Sequence, residues 1–275
     1  MKNQTLKHSL LQFALLLMIT MTASGSNIAQ PDLVKAIDNS SRSAKNKARD
    51  YHRHPLQTLQ FLGIEPNMHV VEIWPGSGWY TEILAPYLKD NGRFYAAHFD
   101  PMLDNHRLVG ALQRYEEKIL DNDIYSKTLI TVFNPPEEID IAPPGSADMV
   151  LTFRNLHNWL QKGEPYFIET IKAMHKALKP GGILGVVEHR LNPSIVAPKG
   201  IKGGYVREDY TIKMIESAGF ELVASSELNA NALDSTNHPK GVWTLPPRLA
   251  LGEKDREKYL SVGESDRMTL KFIKL

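Results

Sequence analysis

Glu72, Gly76 and Gly78 in the run VVEIWPGSGWYT, together with Asp100 in FYAAHFDP, have the types and spacing to hold a nucleoside. A backbone turning sharply beneath a ligand needs residues without a β-carbon, and a helix beginning directly afterwards turns its free amides toward that ligand. A carboxylate roughly 20 residues further on can accept both ribose hydroxyls. Two ligands fit this pattern, a dinucleotide such as NAD and S-adenosylmethionine. The dinucleotide fingerprint carries a third glycine for close helix packing, whereas this chain continues with Trp79, Tyr80 and Thr81. Trp74, Trp79 and Tyr80 could hold a sulfonium cation on their ring faces, or could plug the interface between helix and sheet.

Methyl transfer from a sulfonium is an in-line displacement, so a general base is required only where the acceptor must lose a proton. His157, in FRNLHNW, is the first candidate for that base. Glu188 and His189, closing LKPGGILGVVEH, come next. The bland alternative for each histidine is a packed or hydrogen-bonded structural role. His52 and His54 alternate near Asp50 but lack a third ligand at recognisable spacing, so no metal site is expected. The chain has no GxSxG elbow, HExxH helix or GxxxxGK(S/T) loop, so the common hydrolase, zinc-protease and nucleotidase readings lose support.

These residues need a scaffold of alternating strands and helices. Apolar runs predict strands over 69–73, 93–98, 128–133, 149–153, 183–188, 221–227 and 268–273. Helices are predicted over 78–88, 102–120, 166–178 and 207–218, and a short one from Pro55 with Gly63 as its left-handed cap. Between the last two strands no helix-period segment is evident, so they can pair antiparallel. The expected fold is α/β, a Rossmann-like, seven-stranded, mostly parallel sheet with helices on both faces and an antiparallel last strand. LKPGG reads as a helix end followed by a reversed turn, with Lys179 favouring the helix C-terminus. Open α/β sheets bind ligands at the strands' C-terminal edge, where His157 and two long segments, 190–205 and 229–264, all begin. Gly200, Gly203 and Gly204 would let the first segment move as a lid, and His238, Trp243 and Arg248 could line the second. Loops that merely cover the edge are the alternative.

At 275 residues, 42% hydrophobic and 23% charged, the chain has ordinary globular proportions. A formal net charge of +1 gives no whole-protein field toward nucleic acid, and a small-molecule substrate fits better. Lys2, Lys7 and His8 precede an apolar stretch from Leu10 to Met21 and the small residues Ala23, Ser24 and Gly25. That layout is a secretory signal peptide, with cleavage after Gly25 or Ala29, and the run is shorter than the roughly 20 residues of a membrane span. A periplasmic or secreted location is expected, or a cytoplasmic one if the segment is not a working signal. Cysteine is absent, which excludes a disulfide framework and a thiolate site. The expected organisation is a signal at 1–29, an N-terminal helical extension at 30–66 and the α/β domain at 67–275. Lys35, Arg42, Lys45, Lys47 and Arg49 in the extension read first as a solvated basic face, with contact to a polar substrate or lipid headgroup as the alternative.

EIWPGSG resembles the acidic-glycine motif of class I S-adenosylmethionine-dependent methyltransferases. LKPGGILGVVEH is similar to their later motif, and SADMVLTFRNLHNW to their fourth strand and its loop. The wording of WPGSGWYTEILAP and FRNLHNW further resembles a subgroup of exported methyltransferases. The resemblance spans about 56–220 and the last strand, and implies S-adenosylmethionine as cofactor. It also implies that Glu72, Gly76 and Gly78 shape the methionine end, Asp100 holds the ribose, Asn134 lies by the adenine, and Arg154 and Asn155 face the methyl group. Trp74 departs from the family, which often has the first motif glycine there. A binding protein that keeps this fold without catalysis is the second expectation, and an NAD-dependent oxidoreductase the third.

Overall fold

The computed structural model describes residues 30–197 and 200–275, so the signal segment lies outside the described residues. Seven strands form one sheet: β1 (His69–Ile73), β2 (Arg93–His98), β3 (Thr128–Val132), β4 (Ala147–Phe153), β5 (Leu178–His189), β6 (Phe220–Ser226) and β7 (Arg267–Lys274). Their spatial order is β3-β2-β1-β4-β5-β7-β6. The first five run parallel, while β7 is inserted antiparallel between β5 and β6. The order reverses between β1 and β4, the switch point at which such sheets bind ligands.

Strict alternation along the buried strands divides the core in two. Val71, Ile73, Val150, Leu184, Val186, Leu270 and Phe272 point to one face, where they meet Trp159 of α7 (Leu156–Leu160), Phe167 and Met174 of α8 (Glu164–Ala177), and Ile215 of α9 (Glu208–Glu216). Val70, Phe94, Ala96, Met149, Leu151 and Val187 point to the other. There they meet α1 (Pro31–Asp38), α4 (Pro55–Leu62), α5 (Thr81–Leu88) and α6 (His106–Leu120). Two short helices, α2 (Ala44–Lys47) and α3 (Asp50–Arg53), connect α1 to α4, and Gly63 caps α4 at φ +84°.

Several sequence expectations shift. The helix expected from Gly78 begins at Thr81, because residues 76–80 are taken up by the glycine turn. The one expected from Met102 begins at His106, where the Asn105 side chain accepts from the Leu108 amide. LKPGG joins β5: the preceding helix stops at Ala177, and Lys179 pairs with Asp148 at 2.6 Å instead of facing the helix end. The segment between β6 and β7 does hold a helix, α10 (Arg256–Val262), yet the two strands still pair antiparallel. The basic extension is not wholly solvated either. Arg42 is buried, with both guanidinium arms on Asp50 at 2.7 and 2.8 Å. Among the described residues no helix is long and apolar enough to cross a membrane.

Helix α4 can lie on β5 because Gly185 carries no side chain. A β-carbon there would stand 2.7 Å from Leu151 and 2.9 Å from Leu62. Gly185→Ala is therefore expected to cost about 1–3 kcal/mol in urea unfolding, as overpacked cores do. Adding Leu62→Ala should restore part of that loss instead of adding to it, since the pair are in contact.

Candidate functional site

The glycine turn is fixed from three sides. Gly76 and Gly78 have φ of +61° and +76°, which side-chain-bearing residues rarely adopt. A β-carbon on Gly78 would lie 3.1 Å from the Tyr115 ring, so α6 packs directly on the turn; one on Gly76 would meet nothing within 4 Å. Lys118 donates to the Ser77 carbonyl at 2.7 Å and pairs with Glu82 at 2.8 Å. His98, buried at the end of β2, lies 3.1 Å from the Gly76 carbonyl through Nε2, while its Nδ1 accepts from the Phe99 amide. Burial pushes this imidazole down to about 4, so it is neutral, with its proton on Nε2 for the carbonyl. Sequence reasoning missed His98, although its position two residues before Asp100 at a strand end was a usable signal.

Trp74 occupies a left-handed conformation at φ +45°, a strain of about 1–2 kcal/mol for a residue with a β-carbon. Its surroundings hold it there. The indole N–H donates to the Phe133 carbonyl at 2.9 Å, and the ring packs against Phe99 at 5.1 Å and Trp159 at 5.5 Å. Trp74 thus walls the tips of β1, β2 and β3. Beside it, Asn134 donates to Asp100 at 3.3 Å, and the other oxygen of Asp100 accepts from the Met102 amide at 2.8 Å. The structure therefore brings Asp100, Asn134, Gly76 and Trp74 together at one edge.

Tyr80 and Trp79 turn the other way. Tyr80 is stacked on Phe153 at 3.6 Å, and Trp79 donates to the Asn46 carbonyl at 3.0 Å. The Trp79 ring carries Arg53 and Arg42 at 4.6 and 5.2 Å, so its cation partners are the protein's own guanidiniums. Both rings join the N-terminal helices to the sheet.

A second group converges at the ends of β4 and β5. Asn155 spends its amide on the Ile73 carbonyl at 2.9 Å and on Thr152 at 3.3 Å, tying β4 to β1. Arg154, at φ +62°, donates its backbone N–H to Val187. Glu188 is fully buried and accepts from the His157 amide, from His157 Nδ1 at 3.1 Å and from the His189 amide at 2.8 Å. A carboxylate at Nδ1 calls for the proton on that nitrogen, leaving Nε2 as a base. Burial and the neighbouring His157 and Arg154 charges hold His189 well below the ordinary imidazole range, and its Nδ1 meets Ser265 at 2.6 Å.

His157, His189, Arg154, Arg248, Glu264 and Ser265 line a cavity of about 220 Å³, together with Val242, Trp243, Leu245, Pro246 and Pro247. The second variable segment thus supplies a wall through Trp243 and Arg248, whereas His238 pairs with Asp234 at 2.8 Å. The glycines of the first segment serve close approach: Gly203 accepts from the Val242 amide, and its β-carbon would lie 2.9 Å from Gly241. A larger cavity of about 720 Å³ lies between Arg190–Pro193, the start of α9 and Ala230–Asp234. Possible metal ligands on His157, Glu188 and His189 lie within 4.8 Å of one another. The group has one carboxylate, and Arg154, Arg267 and Arg53 all add positive potential at His189, so a hydrogen-bonded dyad suits it better than a cation. His52 and His54 do not gather around Asp50, which is engaged by Arg42.

Glu72 lies beneath the turn, accepting from Thr81 at 2.8 Å, and Thr81 meets Tyr115 at 3.1 Å. Burial pushes its carboxyl up to about 8 from 4.5. A raised folded-state value contributes stability below pH 4.5, and that contribution declines as the pH rises toward about 8. Glu72→Gln, which cannot ionise, is expected to gain stability relative to the parent across that window, by more than about 1 kcal/mol in denaturant titrations at pH 5 and pH 8.5. A constant difference between the two pH values would show that Glu72 is ionised throughout.

No protein-family model and no curated protein matches the chain. Its shape does match solved structures. The (4+2)-cyclase SpnF aligns with a TM-score of 0.57 at 14% identity, over 89% of this chain and 92% of its own. A geranyl diphosphate methyltransferase in complex with S-adenosylmethionine aligns with a TM-score of 0.54 at 12% identity, over 91% and 93%. An S-adenosylmethionine-dependent methyltransferase from Aquifex aeolicus gives 0.53 at 14%, over 89% and 98%. With the strand order β3-β2-β1-β4-β5-β7-β6, these likenesses show that the chain has the class I fold of S-adenosylmethionine-dependent methyltransferases.

Proposed function

We propose that the chain is an S-adenosylmethionine-dependent methyltransferase acting on a small-molecule acceptor. The observation that carries this reading is the buried Glu188–His157 dyad, which opens onto a cavity at the same sheet edge as the glycine turn and Asp100. The residues fit the cofactor in three respects. The outer face of Gly76 is open, Asp100 and Asn134 are only half-buried, and the half-buried Trp74 ring can flank a nucleoside. When bound, S-adenosylmethionine supplies an electrophilic methyl group.

Gly76 and Gly78, with Glu72 beneath them, shape the methionine end. Asp100 accepts from the ribose hydroxyls, Asn134 lies by the adenine, and Tyr80 supports the turn from behind. Arg154 and Asn155 border the reacting centre, Asn155 by fixing the ends of β4 and β1 relative to each other. His157 takes the acceptor's proton on Nε2 while Glu188 holds the ring and stabilises the imidazolium. His189, kept neutral, supports the cavity wall through Ser265. Trp243 and the proline pair supply apolar lining to the cavity.

The layout of residues 1–29 adds that the mature protein is exported to the periplasm or beyond, where the cofactor must follow it. Sequencing the mature N-terminus after expression of the full chain tests this. A processed terminus near Ser26 or Gln30 supports export, and an intact one contradicts it. One observation favours a second reading. Trp74 stands where a glycine is usual and fills space at the tips of β2 and β3, as suits a protein that binds a nucleoside or another small molecule without turnover.

Calorimetry separates these readings from each other and from a dinucleotide enzyme. S-adenosylmethionine and S-adenosylhomocysteine are expected to bind in the micromolar range, NAD not at all. Asp100→Ala should weaken binding at least about tenfold, or about 1.4 kcal/mol. Absence of heat with both sulfur ligands on folded protein would falsify the cofactor assignment. In assays with labelled S-adenosylmethionine and extract small molecules, His157→Asn should lower methyl incorporation by about 10²–10⁴-fold with S-adenosylhomocysteine affinity unchanged. Incorporation that survives the substitution takes His157 out of the reaction, and binding without any incorporation supports the second reading.

A further inference from the structure

The interior next to the small cavity holds more positive charge than the protein neutralises. Arg53 and Arg267 are 2% and 4% exposed, and Arg49 is half-buried. All three converge on one carboxylate, Glu264, with Arg49 Nε at 2.7 Å, Arg53 Nε at 3.4 Å and Arg267 Nη1 at 3.3 Å. Arg154 adds a fourth guanidinium to the field of the same acid. Glu264 is itself held down at about 2 by Arg53 and Arg267 against the opposing effect of burial. Its single charge cannot match four.

Other acids nearby are already engaged. Glu188 serves the two histidines, Asp266 takes Arg190, and Asp50 takes Arg42. The face of Trp79 offsets part of the Arg53 charge. Even so, Arg49 Nη2, Arg53 Nη2 and Arg267 Nε are buried without a hydrogen-bond partner among the described residues. The Arg154 guanidinium has no hydrogen-bond partner among the described residues either, and Arg154 and Arg248 both line the cavity. Arg267 also donates to the His52 carbonyl, but each of the three guanidiniums paired with Glu264 keeps one N–H unsatisfied. Desolvating a charge costs several kcal/mol per ion, so an anion entering the cavity would offset part of that cost. The whole chain carries only +1, so this potential is local. Val242, Trp243 and Leu245 add apolar lining to the same cavity, suited to the body of a small molecule whose charged end is held by Arg154.

We propose that this cavity is an oxyanion-binding site, in which Arg154 and Arg248 take the carboxylate or phosphate of a small-molecule acceptor within the field of Arg49, Arg53 and Arg267. The oxyanion site stands on the arginine cluster alone, whereas the assignment of its oxyanion to an acceptor rests on the methyltransferase reading. A cofactor's own carboxylate is the other possible source of the same chemistry, and the test distinguishes the two.

Inorganic phosphate and malonate are titrated into the full chain by calorimetry and by thermal unfolding, at ionic strength held constant with sodium chloride. At least one of them should bind more tightly than chloride and raise the melting temperature. Arg154→Gln should weaken that binding at least about tenfold. Arg154→Lys should retain part of it, and Arg248→Gln, at an exposed position that folding tolerates, should weaken it several-fold. Repeating the titration with saturating S-adenosylhomocysteine and then with 5′-methylthioadenosine, which lacks the amino-acid carboxylate, assigns the source. Binding that persists with both supports an acceptor's oxyanion. Binding lost only with S-adenosylhomocysteine supports an oxyanion site that takes the methionine carboxylate. The proposal is overturned if neither anion exceeds chloride, or if both Arg154→Gln and Arg248→Gln bind as the parent does.

Discussion

The carboxylate of Glu264 joins parts of the chain more than 200 residues apart: Arg49 and Arg53 come from the N-terminal helices and Arg267 from the last strand. Its position sets much of the architecture around the cavity. Through Arg53 it fixes the cation on Trp79, and so the seating of the N-terminal helices on α5. Through Arg267 it anchors the start of β7, opposite His189 in the sheet register. Its neighbour Ser265 then reaches the His189 ring. The interaction is costly to desolvate and only partly compensated, so it reads better as a device for holding a charged edge in place than as a source of net stability.

That edge is built by different means on its two sides. Around the glycine turn, precision comes from backbone conformation and from three single contacts, with the neutral His98, the Glu82-paired Lys118 and the Tyr115 ring each fixing one part of the loop. Around the cavity it comes from buried charge, with Glu188 and Glu264 each serving several donors. Between the two sides, Asn155 ties the ends of β4 and β1 together.

Strands were the most legible part of the sequence. β1 and β2 match their expected ranges because strands covered on both faces read as apolar runs bounded by turn residues. Helix starts were less legible. A glycine turn and an Asn cap delay α5 and α6 by a few residues, and periodicity does not register caps. His157, Glu188 and His189 were legible as residues at strand ends, but the hydrogen bonds that make them a unit depend on the β4–β5 pairing. The arginine cluster was not legible at all. Arg42 and Arg49 looked like a solvated face because nothing local to them reveals Asp50 as a bidentate partner or Glu264 as a distant one. Tyr80 and Trp79 likewise depended on which side of the turn the N-terminal helices cover.

The proposed function requires one sheet edge to carry both a nucleoside-holding turn and a base-bearing cavity, aligned for methyl transfer. A crystal structure of the full chain grown with S-adenosylhomocysteine tests it most directly. The account predicts ribose hydroxyls within hydrogen-bonding distance of Asp100, the base beside Trp74 and Asn134, and the sulfur directed toward Arg154 and His157. Ligand bound elsewhere, or bound with its sulfur turned away from His157, would contradict it.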